Sequence, residues 1–279
     1  MAYANNPIVQ TCRPGVNARA FSIMILMKGT RANEKLFWNN RARNYPLPFD
    51  RETSAKTGRI LRLLEGMGVE FKGRRILDIG CGTGVYALRL AGRAKAALGV
   101  DSSPEMLKLF RAERRRRGIS NAACLLSVWS ALPAARVAGR FDLALASMTM
   151  AVKTRADILK MEKAAPRRVY IGWAGLRRNA LLEKVYARHG VEYRAPEGAA
   201  AVLKALKKLG RKPEVRYIRD CWEKKASPAA TLRDIEVGLT VNGAKMDREW
   251  VESLLKRMAR KGLIKQTTSV RKALITWTN

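Results

Sequence analysis

The glycine-rich stretch at residues 74–92, RRILDIGCGTGVYALRLAG, constrains the fold of this chain more than any other segment. Apolar residues lead to a carboxylate at Asp78, glycines follow at positions 80, 82 and 84, and apolar residues then recur at helical spacing. This order predicts a strand, a tight turn and a helix. Because glycine has no Cβ atom, such a turn lets a ligand approach the backbone closely.

Segments of strand character recur after this turn and alternate with segments of helical periodicity. We expect strands near residues 96–101, 122–128, 141–147 and 167–173, and helices that start near residues 103, 156 and 176. The strands are almost continuously apolar, which is typical of a parallel sheet that helices cover on both faces. The chain therefore belongs to the α/β class.

A second carboxylate, Asp101, ends the predicted strand that follows the glycine turn. A carboxylate about 20 residues after such a turn is placed to accept hydrogen bonds from ribose hydroxyls. The third glycine, however, comes one residue earlier than in the dinucleotide pattern G-x-G-x-x-G, whose last position is Val85 here. The combination predicts an adenosine-like ligand that needs no phosphate.

The segments ILDIGCGTG and GVDSSPEML, over a region of about residues 60–175, resemble the class I S-adenosylmethionine-dependent methyltransferases. The resemblance implies S-adenosylmethionine as the cofactor. It assigns Asp78 to the methionyl amino end and Asp101 to the ribose hydroxyls. It also implies further cofactor-binding residues along the turn, around the adenine and near the methyl group: Gly80, Cys81, Gly82, Gly84, Ser102, Met106, Val128, Trp129 and Ser147.

Two segments depart from common patterns of that family. Val128 stands in SVWSALP where many members have an Asp, so a backbone carbonyl with Trp129 beside it is expected to meet the adenine. The segment ASMTMAV replaces the Asn-Pro-Pro-Tyr of enzymes that methylate amide or adenine nitrogen, which argues against that reaction. Met148 and Thr149 are predicted to face the substrate, with core packing the alternative for Met148.

The resemblance also implies the architecture: a Rossmann-like, seven-stranded, mostly parallel sheet with helices on both faces. Its last strands would be EVRYIRDCW and RKALITWTN. We predict a flexible N-terminal extension at 1–34, N-terminal lid helices at 35–70, an S-adenosylmethionine-binding core at 71–195, and a C-terminal part at 196–279. That part would complete the sheet and carry a helical insertion at about 228–261.

The N-terminal region allows several interpretations. Trp38 and Tyr45 resemble lid residues that contact substrate, although they could equally anchor a terminal helix. Residues 1–33 contain basic but no acidic residues, a pattern also found in organelle transit peptides. An upstream extension before a natural start at Met24 or Met27 is the simpler interpretation.

The chain has 55 basic and 23 acidic residues, a formal net charge of +32, which favours polyanionic partners. The charge is spread along the chain, as a general basic bias would also produce. We therefore predict a small-molecule methyl acceptor, with RNA as the alternative. A third hypothesis is a non-catalytic nucleic-acid-binding protein with a winged-helix-like C-terminus, in which Lys256, Arg257, Arg260 and Lys261 face phosphates.

The cysteines at positions 12, 81, 124 and 221 form no CxxC pair, and His189 is the only histidine. This argues against a metal site or a disulfide framework and favours a reducing, cytoplasmic setting. His189 could act as a general base, but at the end of a predicted helix it could also be structural. No catalytic residue is assigned, no apolar run approaches the ~20 residues of a membrane span, and the oligomeric state stays open.

Overall fold

A computed structural model of the chain describes residues 38–39, 41–43, 45–193 and 198–278. The predicted extension at 1–34 lies outside these residues. Residues 38, 39, 41 and 42 are helical. The remaining helices are α1 (Arg51–Glu65), α2 (Ala87–Ala91), α3 (Pro104–Arg116), α4 (Arg155–Ala164), α5 (Ala180–Arg188), α6 (Ala199–Lys208), α7 (Pro228–Val241) and α8 (Arg248–Met258).

Within the described ranges, seven strands form one sheet in the order β3-β2-β1-β4-β5-β7-β6. They are β1 (Arg75–Ile79), β2 (Ala96–Asp101), β3 (Ala122–Leu126), β4 (Leu143–Ser147), β5 (Arg167–Arg178), β6 (Glu214–Ala226) and β7 (Ile264–Trp277). Strands β1 to β5 pair in parallel. The predicted Rossmann-like sheet is confirmed, and helices α7 and α8 occupy the segment predicted as a helical insertion.

The central strands explain why the apolar runs in the sequence are continuous. In β1 every residue after Arg75 is buried, and in β4 every residue before Ser147 is buried. A strand that is buried on both faces has no polar face, so its sequence lacks the alternation of a half-exposed strand.

The helices next to the site start at residues that satisfy their first N–H groups. Ser103 accepts a hydrogen bond from the Met106 N–H at the start of α3, where Pro104 occupies the first helical position. Thr154 and Asp157 form a capping box at the start of α4. These caps fix where the loops after β2 and β4 end.

The described residues divide into two compact units. The larger consists of residues 38–172, 198–216 and 273–278, and the smaller of residues 173–193 and 217–272. The chain passes from one unit to the other within β5, β6 and β7. The smaller unit has its own core, in which buried residues of α5, α7, α8 and β7 meet, among them Val185, Leu239, Val251 and Ile264.

Side-chain contacts give the direction of β7 in the smaller unit. Arg271 Nε donates to the Ala174 carbonyl at 3.1 Å, and Asn179 Nδ2 donates to Thr268 Oγ1 at 2.8 Å. The residue numbers therefore fall along β7 as they rise along β5, so the two strands are antiparallel.

Several element boundaries differ from the prediction; β7, for example, begins at Ile264 and not at Arg271. The helix expected from residue 176 begins at Ala180, because residues 176–178 belong to β5 and Asn179 caps the helix through a 3.0 Å hydrogen bond from the Leu182 N–H. Strand β6 runs on to Ala226 instead of ending near 222.

Across the described ranges, no helix is both long and apolar enough to cross a bilayer. Cys81, Cys124 and Cys221 carry free thiols.

Candidate functional site

The carboxyl ends of β1, β2 and β4 bring the predicted cofactor residues together in the larger unit. Ile79 pairs with Val100 of β2 on one side and with Ala146 of β4 on the other. The next residue of each strand therefore lies at the same edge: Gly80, Asp101 and Ser147. In parallel sheets, ligands bind in the crevice at these carboxyl ends of the strands.

Asp101 joins strand β2 to the glycine turn. Its Oδ2 accepts the Gly82 N–H at 2.8 Å, and its Oδ1 accepts the Ser103 N–H at 2.8 Å. Burial raises the pKa of this carboxyl, while hydrogen bonds from Ser103, Gly82 and Ser102 act in the opposite direction. Each carboxylate oxygen has two lone pairs, so Asp101 can accept further hydrogen bonds from a ligand.

Asp78 lies almost completely buried, at 1% exposure, beneath the same turn. Its Oδ2 accepts the Ala87 N–H at the start of α2 at 3.0 Å. Burial raises the pKa of Asp78 from 3.8 to about 7, the Ala87 N–H opposes this shift, and the charge of Asp101 adds to it. A cationic ligand group beside both carboxylates would relieve this unfavourable burial of charge.

The glycine turn is in close contact with two side chains from other segments. Gly80 has φ of +70°, and a Cβ atom there would collide with Thr149. Gly82 has φ of +54°, and Tyr45 Cε1 lies 3.5 Å from the position that a Cβ atom would occupy. Both residues therefore need glycine for backbone conformation, and Gly80 needs it for space as well.

Residues before α1 cover this turn. Thr83 Oγ1 donates to the Pro46 carbonyl at 2.7 Å, and Ser103 Oγ donates to Asn39 Oδ1 at 2.7 Å. The Trp38 and Tyr45 rings meet edge to face at 6.2 Å. Sequence reasoning singled out the two aromatic residues but missed Asn39 and Pro46, which no local motif distinguishes.

The surroundings of Tyr45 keep its hydroxyl protonated. Burial and then the charge of Asp101 raise the pKa of its hydroxyl to about 12, with Asp78 adding to the shift and Arg41 opposing it. The hydroxyl is therefore protonated at neutral pH.

The loop after β4 contains an unusual backbone and a buried polar atom. Ser147 Oγ is buried and has no hydrogen-bond partner among the described residues. Met148 has φ of +51°, and its N–H donates to the Ile171 carbonyl at 2.7 Å. Thr149 Oγ1 accepts the Ala151 N–H at 3.1 Å. Strained non-glycine residues often occur at functional sites, so the loop geometry is consistent with a substrate-facing role.

In the segment after β3, the adjacent residues Val128 and Trp129 differ in their exposure to solvent. Val128 is 38% exposed, whereas Trp129 is buried at 2% exposure. Lys160 of α4 lies 5.2 Å from the centre of the Trp129 ring and donates to the Trp129 carbonyl at 2.7 Å. Trp129 is thus held by α4, and Val128 is the residue of this pair that is open to contact.

The other predicted cofactor residues lie around the turn. Met106 is buried, with its sulfur 4.0 Å from the position of a Cβ atom on Gly82. Cys81 lies against Gly99 of β2, and burial raises the pKa of its thiol well above its usual range. A Cβ atom on Gly84 would lie 2.6 Å from Phe110, so this glycine allows the turn to rest on α3. Ser102 is partly exposed.

His189, in the smaller unit, uses both ring nitrogens within the protein. Its Nδ1 lies 2.7 Å from the Val185 carbonyl oxygen, and its Nε2 accepts the Asp247 N–H at 2.9 Å. Because Nε2 accepts this proton, Nδ1 must donate to the carbonyl. These contacts support the structural interpretation of His189 over a general base.

A model of the family described as "Methyltransferase domain" matches residues 70–261, more than half of the chain. Among curated proteins, a tRNA U34 carboxymethyltransferase of Aeromonas hydrophila is 46% identical over 55 residues, which are 19% of this chain and 17% of that protein. A ribosomal protein L11 methyltransferase of Pseudomonas aeruginosa is 38% identical over 77 residues, 27% of this chain and 26% of that protein. The chain spans about a quarter of the length of the first curated relatives that it matches.

Among solved structures, a putative RNA methyltransferase of Pyrococcus horikoshii is similar at 15% identity and a TM-score of 0.46, covering 91% of this chain and 93% of that one. The family match confirms the predicted class and, with it, S-adenosylmethionine as the cofactor. The chain belongs to the methyltransferase-domain family.

Proposed function

We propose that this protein transfers a methyl group from S-adenosylmethionine to a small-molecule acceptor at the carboxyl edge of β1, β2 and β4. The bound cofactor would supply an electrophilic methyl group on a sulfonium centre, transferred in line to the acceptor. The protein would contribute mainly positioning of the two reactants and exclusion of water.

The observation that carries this proposal is the position of Asp101. Its two oxygens accept N–H groups from Gly82 and Ser103, and this fixes the carboxylate against the glycine turn. A carboxylate held in this way is preorganised to accept hydrogen bonds from ribose hydroxyls. We assign it that role.

Two further observations support the fit of the cofactor. Burial and then the charge of Asp101 make ionisation of Asp78 unfavourable, and the cationic methionyl amino group would offset that cost. The buried Ser147 hydroxyl, which has no partner in the described part of the chain, offers a hydrogen bond at the same edge.

The residues that cover the turn support a small acceptor. Tyr45 lies on Gly82 and Thr149 on Gly80, so side chains from two other segments cover the glycine turn. The protonated Tyr45 hydroxyl can donate a hydrogen bond to an acceptor but is not a general base at neutral pH. An RNA acceptor is the second candidate, and the net charge favours it.

The first test is calorimetric titration with S-adenosylhomocysteine. We expect micromolar or tighter binding to the intact protein. Asp101→Ala should weaken it by roughly 10- to 100-fold, because hydrogen bonds to a charged group are lost. Asp142→Ala is the matched control: Asp142 also accepts a backbone N–H, that of Arg75 at 2.7 Å, but at the opposite end of β1.

Equal weakening by the two variants would contradict the role of Asp101, and no binding by the folded intact protein would overturn the proposal. Thermal unfolding of each variant establishes that it is folded. For the acceptor, methyl-labelled cofactor is incubated with a small-molecule extract and with bulk RNA. Label in the small-molecule fraction supports the first candidate, and label in RNA supports the second.

We also propose a cytoplasmic location. The free thiols of Cys81, Cys124 and Cys221 support it, because a reducing compartment keeps thiols in this form.

A further inference from the structure

Four exposed basic residues lie together where α8 ends and β7 begins in the smaller unit: Lys256, Arg257, Arg260 and Lys261. We call these four residues the basic ridge. The chain turns sharply between Arg260 and Leu263, each of which donates its N–H to the other's carbonyl, at 2.9 and 3.0 Å. The ridge thus consists of the last turn of a helix and the tip of a hairpin.

No acidic residue neutralises the ridge within its own segment. Residues 253–279 contain seven basic residues and no Asp or Glu, and Glu252, one helical turn before Lys256, pairs with Arg248 instead. Among the described residues, none of the four ridge cations forms an ion pair, whereas nearby Arg248 pairs with Glu236 and Glu252, and Lys265 pairs with Glu223. The ridge therefore concentrates positive charge, whereas the charges of Arg248 and Lys265 are balanced by carboxylates.

The hairpin tip uses a residue that its backbone disfavours. Lys261 has φ of +49° and Gly262 has φ of +73°, which together form the mirror-image type I turn. Asn, Asp or Gly are preferred at the first of these positions, because a longer side chain is strained there. A lysine in this position makes the turn less stable than Asn, Asp or Gly would, but it places an ammonium group at the tip.

Hydrogen bonds hold the ridge arginines in place. Arg257 Nη1 donates to Ser253 Oγ at 2.6 Å, and Arg260 Nη1 lies 3.4 Å from the carbonyl oxygens of Arg257 and Ala259. Two apolar side chains flank them, Met258 at 36% and Leu263 at 45% exposure. The surface therefore offers oriented guanidinium groups beside accessible apolar contacts.

We propose that the basic ridge binds the backbone of single-stranded RNA. Guanidinium and ammonium groups bind phosphates, and guanidinium planes such as those of Arg257 and Arg260 can also stack on the bases that a single strand exposes. Met258 and Leu263 add apolar contact area beside them. Insertion into a membrane would need a larger apolar face than these two half-exposed residues provide. The inference is independent of the identity of the methyl acceptor.

The test measures binding of a fluorescent single-stranded RNA at several salt concentrations. The ridge variant carries Lys256→Gln, Arg257→Gln, Arg260→Gln and Lys261→Gln. It should bind at least about tenfold more weakly at low salt, and the slope of log K against log salt should fall by up to about 3, since each lost phosphate contact removes ~0.7. The matched control removes four other exposed charges: Lys72, Lys95, Lys108 and Arg115, each changed to Gln.

Equal weakening by the ridge variant and the control would overturn the proposal, since net charge alone would then explain binding. Tighter binding to duplex DNA than to single-stranded RNA, or ridge-dependent binding to anionic vesicles without RNA binding, would overturn it as well. Circular dichroism and thermal unfolding of both variants establish that they are folded.

A single substitution at Lys261 is expected to change RNA binding and protein stability in opposite directions. Lys261→Asn fits the turn better, so we expect a higher melting temperature together with several-fold weaker RNA binding. A purely structural lysine would show no loss of binding. That result would remove Lys261 from the ridge.

Discussion

Gly80 and Gly73 share φ of +70° but differ in their surroundings. A Cβ atom at Gly80 would collide with Thr149, whereas a Cβ atom at Gly73 would have no neighbour within 4 Å. Gly73→Ala should therefore report only the backbone strain, about 1 kcal/mol. Gly80→Ala should cost roughly 1–3 kcal/mol more and reduce cofactor affinity, because Thr149 must move. Chemical denaturation and calorimetry measure the two effects.

The double variant Gly80→Ala with Thr149→Gly provides the control for this prediction. Removing the Thr149 side chain should recover most of the excess loss of stability. Equal losses for the two single alanine variants would show that Thr149 does not restrict this position.

The raised pKa of Asp78 predicts that cofactor binding is coupled to the release of a proton. Its pKa is raised to about 7, mainly by burial, so it is largely protonated below that pH. A cationic ligand group favours the ionised carboxyl, so binding near pH 6 should release up to about one proton, and affinity should fall as pH drops below 7 by up to about tenfold per unit. Titration of S-adenosylhomocysteine in two buffers of different ionisation enthalpy counts the protons.

In Asp78→Asn the released proton and the pH dependence should both disappear. A release that persists in this variant would assign the proton to another group.

Among single residues, the sequence predicted best those features that depend on neighbouring positions in the chain. The spacing of the glycines and of Asp101 was sufficient to predict a turn and a carboxylate, and the turn's hydrogen bond from Gly82 to Asp101 is present. The contact of Thr149 with Gly80 and of Asn39 with Ser103 depends on how distant segments fold together. No spacing rule in one sequence contains that information.

Among the elements, Glu162 links α4 to β7 and to the segment between α6 and β6. Its carboxylate accepts two hydrogen bonds from Arg211, each at 2.9 Å, and one from Trp277 Nε1 at 3.1 Å. The hydrogen bonds from Arg211 are the main cause of the lowered pKa of Glu162. A carboxyl with a lowered pKa stabilises the folded state above its ordinary pKa and loses that contribution as the pH falls through the folded value.

Glu162→Gln should therefore lower the melting temperature at pH 7 by roughly 3–8 °C. The difference from the unmodified protein should shrink as the pH falls below the ordinary pKa of a glutamate and through the lowered pKa of Glu162. Glu65→Gln is the control, because Glu65 pairs with Arg93 at the surface, where an ion pair contributes little. The same effect from both changes would contradict a special role for Glu162.

The boundary between β5 and α5 shows why the first and last residues of helices and strands are difficult to predict from sequence. Residues 176–188 have helical periodicity, yet the first of them extend a strand that pairs with β7, a partner about 90 residues away. Asn179 was a signal for the true start, since Asn is a preferred helix cap. Tertiary pairing outweighed the local preference.

For the whole molecule, the formal charge of +32 implies mutual repulsion in the folded state. Salt screens that repulsion, since the Debye length falls from about 30 Å at 0.01 M to about 10 Å at 0.1 M. The melting temperature should therefore rise by several degrees between these concentrations of sodium chloride. Scanning calorimetry measures the rise, with an uncharged osmolyte at equal osmolality as the control.

A flat or falling melting temperature would mean that ion pairs such as Lys272 with Asp220, which are 2.6 Å apart, outweigh the repulsion. Composition alone could not distinguish these outcomes, because it does not say which charges pair.

The sheet order has a consequence for synthesis of the chain. Strand β7 is made after β6 but lies between β6 and β5. On the ribosome, β1 to β5 can pair as they emerge, whereas β6 has no neighbour in the sheet until β7 has emerged. A nascent chain paused before β7 would expose the edge of β5 that β7 later covers and both edges of the unpaired β6, and would depend on chaperones to avoid aggregation.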